Sequence, residues 1–521
     1  MPAHPDWRQT PSAPLRLLPQ VGLPLASGAV AAFSLPPWGF WPLAFVGTAG
    51  LAWRLGGLRT GARLGAGLLF GVGFYGFTIF WVTEFHVGGW VGLVLLQALF
   101  YAAAAALTPP GPGVPLVLPA AVVLTEAVHD IWPVGGIPIG GITLGQAAGP
   151  LAGIARLGGP LLLAAAVVAV GSALAAVARR SARPSGVDDR RRAGGVLAAV
   201  VVVATIGTLA PDGNETGTEL AAALVQGGGR RGFLAVETDP GDVFGAHIAT
   251  SRDLPDDLDL VVWPENAIDV VAIEGTLQER MLAAIARSTE ATVVAGVTEE
   301  VGAESFHNVA VAWSPDGAIV DRYVKAKRVP FGEYAPYRWL FGNLADLSAL
   351  PRDAVAGRGP GVLETPAGQL GVAISFEVFF AERARVAAAD GGQVLLVPTN
   401  ASSFGSSQVP TEEVAAARLR AIETGRWVLQ AAPTGYSAVI DHRGRVHDRS
   451  VLSRRQILTA TVPLRSGSTP YAAVGNAPVL ALAFLVLAFA WSPAALVTRL
   501  RTILRQSQPK LVPYCLKFGR T

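Results

Sequence analysis

Along the first 211 residues, apolar positions do not alternate with polar ones; they run together. Stretches at 18–34, 38–54, 64–83, 88–107, 113–128, 159–178 and 193–210 are nearly free of charge, and an eighth lies at 472–491. Each approaches the ~20 apolar residues that carry a helix across a hydrocarbon layer. The pattern therefore predicts a membrane domain of seven helices over 1–211, a large domain over 212–470, a last membrane helix within 471–494 and a basic tail over 495–521. Burying seven nearly uncharged helices in succession inside a soluble core would be a far less ordinary solution. The first run is followed at once by another and has no small-x-small cleavage site, so it reads as a membrane helix and not a removed leader.

Charge changes this picture by giving it a direction. Arg8 and Arg16 precede the first helix, Arg54, Arg59 and Arg63 lie between the second and third, and "RRSARPSGVDDRRR" at 179–192 separates the sixth from the seventh. The C-terminal tail adds Arg499, Arg501, Arg505, Lys510, Lys517 and Arg520. The alternate loops hold Glu84, His86, Glu126, His129, Asp130 and a single arginine, Arg156. Positive residues collect on the cytoplasmic side of membrane proteins. Both termini are thus expected in the cytoplasm and the 212–470 domain outside the cytoplasmic membrane.

Between 212 and 470 the hydrophobic period shortens. Strand-like runs recur at "LAAALVQ" (220–226), "LDLVVWPE" (258–265), "ATVVAGV" (291–297), "NVAVAWS" (308–314), "LGVAIS" (370–375), "QVLLVPT" (393–399), "WVLQAA" (427–432) and "SAVIDH" (437–442). Helical patterns fall between some of them, at 276–289 and at 411–426, the latter with Thr411 as its expected N-cap and acidic residues in its first turn. "PDG" (315–317) and "HRG" (442–444) read as hairpin turns. Strands alternating with helices predict an α/β domain with helices packed outside its sheets.

Composition narrows the chemistry. Only 15% of the 521 residues are charged and 51% are hydrophobic, against about 25% charged in soluble domains. The net charge of +3 is small and unevenly placed, which argues against a nucleic-acid partner. One cysteine, Cys515, rules out an internal disulfide framework, and the seven histidines show no metal-ligand spacing. Neither a metal nor another cofactor is expected.

Four chemically competent residues stand at the ends of strand-like words: Glu265 after "LVVWP", Lys325 after "IVDRYV", Ser375 closing "GVAI" and Glu333 ending "VPFGE". Singly, each could be a solvated strand end. Together, "WPEN", "YVKAKRVPFGEYAP", "GVAISFE" and "TNASSFG" occur in the order and spacing of the carbon–nitrogen hydrolase (nitrilase) superfamily. The lysine-to-glutamate string is the most specific of them. With eight membrane helices around that domain, the whole chain resembles the apolipoprotein N-acyltransferase family.

That resemblance implies a four-layer αββα sandwich on the outer membrane surface. It makes Glu265 the general base, Lys325 the cation that stabilises the oxyanion and Glu333 the second carboxylate that positions Lys325. Glu377 would shape the pocket, Asn308 would help line it and Phe376 would pack along the acyl path. "TNASSFG" would form a mobile loop above it. The implied partners are a phospholipid acyl donor and the diacylglyceryl-cysteine of a lipoprotein, joined by ping-pong transfer.

Ser375 departs from the family, which has a cysteine there. A thiol near pKa 8.5 ionises readily beside a base, whereas a hydroxyl does not, and an ester is a poorer acyl donor than a thioester. Either the serine is an engineered exchange that halts turnover and traps substrate, or it is natural and marks a slow enzyme or a silent paralogue. Serine–lysine catalysis on other folds keeps the site in play. Two rival functions are a membrane-tethered amidase acting on a small amide, and a silent lipid-binding scaffold such as a partner of a polyprenyl-phosphate glycosyltransferase.

Overall fold

The computed structural model describes residues 13–56, 58–110, 113–180, 187–341 and 350–492. Arg8, residues 181–186 of the arginine-rich loop, and the tail with Cys515 lie outside the described residues.

All eight apolar runs are helical: Ala13–Ala32, Pro42–Leu55, Thr60–Thr78, Val87–Leu107, Val114–His129, Ala155–Arg180, Val187–Leu209 and Ala477–Ala490. Three helical segments, Val87–Leu107, Ala152–Arg179 and Arg190–Leu209, are long and apolar enough to cross a membrane on length and composition. Val114–His129 and Ala477–Ala490 are apolar but shorter, at 16 and 14 residues. The sixth helix bends at Gly158–Gly159, where Gly159 takes φ +64°. Small residues let these helices touch backbone to backbone. A Cβ on Gly28 would sit 2.0 Å from the Phe70 carbonyl oxygen, and one on Gly71 would sit 2.5 Å from the Ala98 Cα. The outward faces are apolar, with Leu209 and Phe489 nearly four-fifths exposed.

The rest of the chain builds two sheets. The first runs, edge to edge, Gln456–Ser466, Asn214–Gln226, Leu260–Val262, Thr292–Val301, Ser305–Trp313 and Ile319–Val324, with Ile268–Val270 and Asp353–Ala354 as side branches. The second runs Val446–Arg449, Ala438–Ile440, Val428–Ala431, Val394–Pro398, Gly368–Val372 and Val362–Thr365. Every one of the eight sequence-predicted strands falls on an observed strand, and both expected hairpin turns join antiparallel pairs.

Side-chain alternation explains the layering. Val262 and Val294 face inward against Val372, Leu396 and Leu429 of the opposite sheet. Their neighbours Val261 and Val293 face outward, where Trp263, Trp313, Leu282 and Ala286 form a second core under the Leu277–Thr289 helix. The second sheet's outer side packs on the Ala381–Ala389 and Gln408–Thr424 helices, and these share one continuous core with the apolar helices of the N-terminal half.

That shared layer corrects one expectation. The helix begins at Gln408 with Ser407 as its cap residue, so Thr411 is not the N-cap; its hydroxyl donates to the Ser407 carbonyl at 2.7 Å. Glu412 and Glu413, expected in a first turn, are 1% and 3% exposed. The helix is a buried middle layer, so its acidic residues have buried partners rather than a capping duty: Thr399 for Glu413, and Gln408 and Arg420 of the same helix for Glu412 and Glu423.

Polar contacts fix the two halves together. Lys327 Nζ and the Tyr334 hydroxyl donate to the Gly135 and Val134 carbonyls at 2.8 and 2.9 Å. Arg156 pairs with Asp212 at 3.6 Å where the α/β half begins. At the opposite helix ends, Arg63 is fully buried and donates to the Leu55, Leu58 and Thr108 carbonyls.

Candidate active site

The site forms where strands end. The parallel strands Leu260–Val262, Gly368–Val372 and Val394–Pro398 deliver Glu265, Ser375 and Thr399 just beyond their carboxyl ends, the usual place for ligand sites in α/β sheets. Ile319–Val324 delivers Lys325 from the first sheet's edge.

Ser375 sits on a sharp turn between its strand and a short 3₁₀ helix, Ser375–Phe379. Its φ is +49°, a left-handed conformation that a residue with a Cβ adopts at a cost. Glu377 holds that turn. It is fully buried and accepts from the Ile374, Ala326 and Lys327 backbone amides at 2.9, 2.8 and 3.0 Å. The Tyr323 hydroxyl donates to both its oxygens at 2.9 and 3.0 Å, and Arg383 Nη2 donates to that hydroxyl at 2.6 Å. Burial and the Glu377 charge push the Tyr323 phenol well above its ordinary range, so it stays a donor. Glu377 therefore locks the serine turn to the segment carrying Lys325.

Opposite lies a buried cluster of charge. Lys325 Nζ donates to Glu265 Oε1 at 2.7 Å and Glu333 Oε1 at 2.8 Å, and Asn308 Nδ2 donates to the same two oxygens at 2.7 and 2.8 Å. The second oxygen of Glu333 accepts from the Val329 amide at 2.7 Å, which explains why the glutamate must follow "RVPFG" closely. Burial alone would push the Lys325 ammonium down, but the two carboxylates outweigh it and hold its pKa above the ordinary lysine value. Burial raises Glu265, the lysine opposes that, and Glu333 adds to it. The lysine is a fixed cation in a dry site, the arrangement that stabilises developing negative charge best.

The structure brings together Glu265, Lys325, Glu333 and Asn308, and joins Ser375 to them through Glu377. Phe376 is buried, its ring tilted against that of Phe379 and edge-on to that of Phe380, with centroids 6.2 and 5.1 Å away. The "TNASSFG" segment is tied down at several points. Gly405 and Ser406 amides donate to Glu84 at 2.6 and 3.0 Å, Ser402 Oγ meets Thr434 Oγ1 at 2.9 Å, and Phe404 packs on Trp81 and Phe85.

Sequence reasoning missed Glu413. Thr399 Oγ1 donates to its Oε1 at 2.5 Å. Burial lifts its carboxyl to about 7, with Thr399, the Lys325 charge and the Ser375 hydroxyl opposing the rise and Glu265 adding to it. Two adjacent glutamates after a proline resemble a helix start; only the apolar run at 414–417 that follows them hinted at burial.

Residues 220–470 match the Carbon-nitrogen hydrolase family, and residues 27–173 match the Apolipoprotein N-acyltransferase N-terminal domain. The Apolipoprotein N-acyltransferase of Azotobacter vinelandii is 30% identical over 520 residues, covering 93% of this chain and 96% of that one. The protein of the same name from Mycolicibacterium smegmatis is 29% identical over 480 residues, 86% of this chain and 80% of that one. Among solved structures, an amidase from Nesterenkonia sp. aligns with 50% of this chain and 94% of its own at 22% identity and a TM-score of 0.37. The chain belongs to the apolipoprotein N-acyltransferase family, acyltransferases of the carbon–nitrogen hydrolase superfamily.

Proposed function

We propose that this chain moves an acyl chain from a phospholipid to the α-amine of the diacylglyceryl-cysteine of bacterial lipoproteins, by way of an acyl ester on Ser375. The observation that carries this reading is the buried Lys325 held by Glu265, Glu333 and Asn308 beside a serine turn that Glu377 fixes, in a chain of that family.

Each residue then has a role. Ser375 Oγ attacks the donor's ester carbonyl, and Glu265 is the base that the family resemblance assigns. Lys325 offers its charge to the oxyanion, while Glu333 and Asn308 aim the ammonium. Glu377 sets the turn and Phe376 lines the acyl path. Because an oxygen ester yields to an amine more slowly than a thioester, the acyl group stays longer on this chain than on a cysteine form.

The eight apolar helices form the membrane part of this reading, over 1–211 and 471–494, with 212–470 outside the cytoplasmic membrane and both termini inside. Arg63 at the helix ends remote from the α/β half supports that orientation. A site against apolar helices also spares lipid substrates the ~0.8 kcal/mol per CH₂ of lifting a chain into water.

The test pairs the chain as it stands with Ser375→Cys, each in detergent with phospholipid and a diacylglyceryl lipopeptide, following N-acylation by mass spectrometry. The cysteine form should acylate the peptide and the serine form should accumulate acyl-enzyme. If neither folded form transfers or retains an acyl group, the reading fails. Rapid unaided turnover by the serine form would show instead that the hydroxyl suffices.

A further inference from the structure

A serine needs something at this position that a cysteine does not. A thiol can ionise and depart as thiolate, whereas a hydroxyl must surrender its proton during attack and recover one when its ester breaks. Glu265 is committed to Lys325 and Asn308 through Oε1. On another side of the serine, Glu413 comes from the buried Gln408–Thr424 helix and is 3% exposed. Its Oε1 is held by Thr399, while its Oε2, also buried, has no hydrogen-bond partner. Thr399 and Ser375 leave the ends of two adjacent parallel strands, in which Leu396 is paired with Val372. The Glu413 carboxyl, held by Thr399, therefore lies beside the strand end that carries the serine, close enough for the Ser375 hydroxyl to oppose the rise in its pKa.

We infer that Glu413, rather than the Glu265 that the family resemblance assigns, takes the proton of Ser375 Oγ and returns it, which leaves Glu265 to hold Lys325. This rests on Ser375 being the nucleophile. In the first half-reaction the Oγ–H proton moves to Glu413 Oε2, Oγ bonds the donor's acyl carbon, and the carbon–oxygen bond to the glycerol breaks. The proton then passes to the departing glycerol oxygen. In the second half the acceptor amine bonds the acyl carbon and gives a proton to Glu413. The ester bond to Oγ breaks, and that proton restores the hydroxyl. No other reactant is required.

A carboxyl that titrates at about 7 serves both directions near neutral pH. The charged groups around it are Glu265, Lys325 and the adjacent Glu412, with Arg231 also within electrostatic reach. Among these, Lys325 is held charged, and Glu412 lies buried against Gln408 with its pKa pushed well up.

A lipid-free probe separates this inference from the proposed reaction. Full-length protein in detergent is treated with an alkyl fluorophosphonate. Oγ bonds phosphorus, fluoride leaves and the hydroxyl proton goes to the base, with Ser375 modification followed by intact-protein mass. The labelling rate should rise with pH through a midpoint near 7. Glu413→Gln should lower it about 100-fold and abolish that pH dependence, while melting no earlier than the parent above pH 7. Labelling of Glu413→Gln at the parent's rate, an unchanged profile, or no labelling of the folded parent at any pH would each overturn the inference. If labelling depends on Glu413 but no lipopeptide is acylated, the inference stands and the lipoprotein reading falls.

Discussion

The two halves of this molecule bury opposite things. The helical half turns apolar side chains outward, with Leu209 and Phe489 nearly four-fifths exposed, and seals its interior by backbone contact at Gly28, Gly71 and Gly73. The α/β half keeps an ordinary polar exterior yet buries Glu265, Lys325, Glu377, Glu413, Arg420 and Glu423. Around Lys325 and Glu377 that buried charge is held by paired groups and backbone amides, whereas the other half relies on close approach, with Arg63 as its buried exception. The lesson is that a hydrophobic sequence average describes neither half: in one it describes the surface, in the other the walls of a charged site.

The sharpest way to break the comparison is to remove one member of the buried cluster. Lys325→Ala leaves Glu265 and Glu333 facing each other without a cation in a site closed to water. Acyl transfer should vanish, and the α/β half should lose about 3–5 kcal/mol, read by denaturant unfolding of the purified chain. Lys325→Met should likewise form no acyl-enzyme when the intact-protein mass is followed with phospholipid present. If either variant unfolded at the parent's midpoint, the cluster would be catalytic equipment without structural weight.

The helical half should fail by sterics instead. A side chain at Gly28 would collide with the Phe70 carbonyl and the Phe74 amide, both backbone atoms that cannot rotate aside. Gly28→Val should cost about 1–3 kcal/mol through overpacking and lower the detergent melting temperature. Gly65→Val, where a Cβ meets nothing within 4 Å, should leave it unchanged. Equal effects at both positions would refute close approach as the source of stability.

Much of this was legible in the chain because local pattern and tertiary role agree. Eight apolar runs became eight helices, and "ATVVAGV" or "QVLLVPT" can be little but buried strands. Glu265, Lys325 and Glu333 were readable because each closes a distinctive word, and the spacing of Lys325 and Glu333 is fixed by the Val329 amide between them. Glu413 was not, since its meaning comes from Thr399, fourteen residues earlier, and from Ser375 on another strand. Glu377 was legible as a neighbour of the nucleophile but not as an acceptor for amides 50 and 51 residues away. The role of Glu84 as an acceptor for a distant loop was invisible for the same reason.

Acidity sharpens the contrast further. Burial raises the Glu413 carboxyl from 4.5 to about 7, so its neutral form is favoured on folding. Its contribution is present in full below pH 4.5 and is lost as pH rises through 7. The difference corresponds to at most about 3 kcal/mol above pH 7. Relative to Glu413→Gln, the parent should lose stability across that window in a pH series of thermal melts. Parallel curves would place the group in a wetter setting than its burial implies.

The smallest effect belongs at the seam, where the two kinds of stabilisation meet. Glu84 extends from the helical half and accepts the Gly405 and Ser406 amides, but it is half-buried, so solvent screens it and other contacts share the load. Phe404 remains packed on Trp81 and Phe85, and Arg231 still donates to the Ser406 carbonyl at 2.6 Å. Glu84→Gln keeps one acceptor oxygen and loses the charge, so the seam should weaken by about 1 kcal/mol. Hydrogen exchange should report this as roughly fivefold faster exchange at the Gly405 and Ser406 amides, with the Ile374 amide beneath Glu377 unaffected. Faster exchange at both places would mean that the carboxylate at the seam and the one under the nucleophile belong to a single cooperative unit, and the two halves could no longer be treated as separately stabilised.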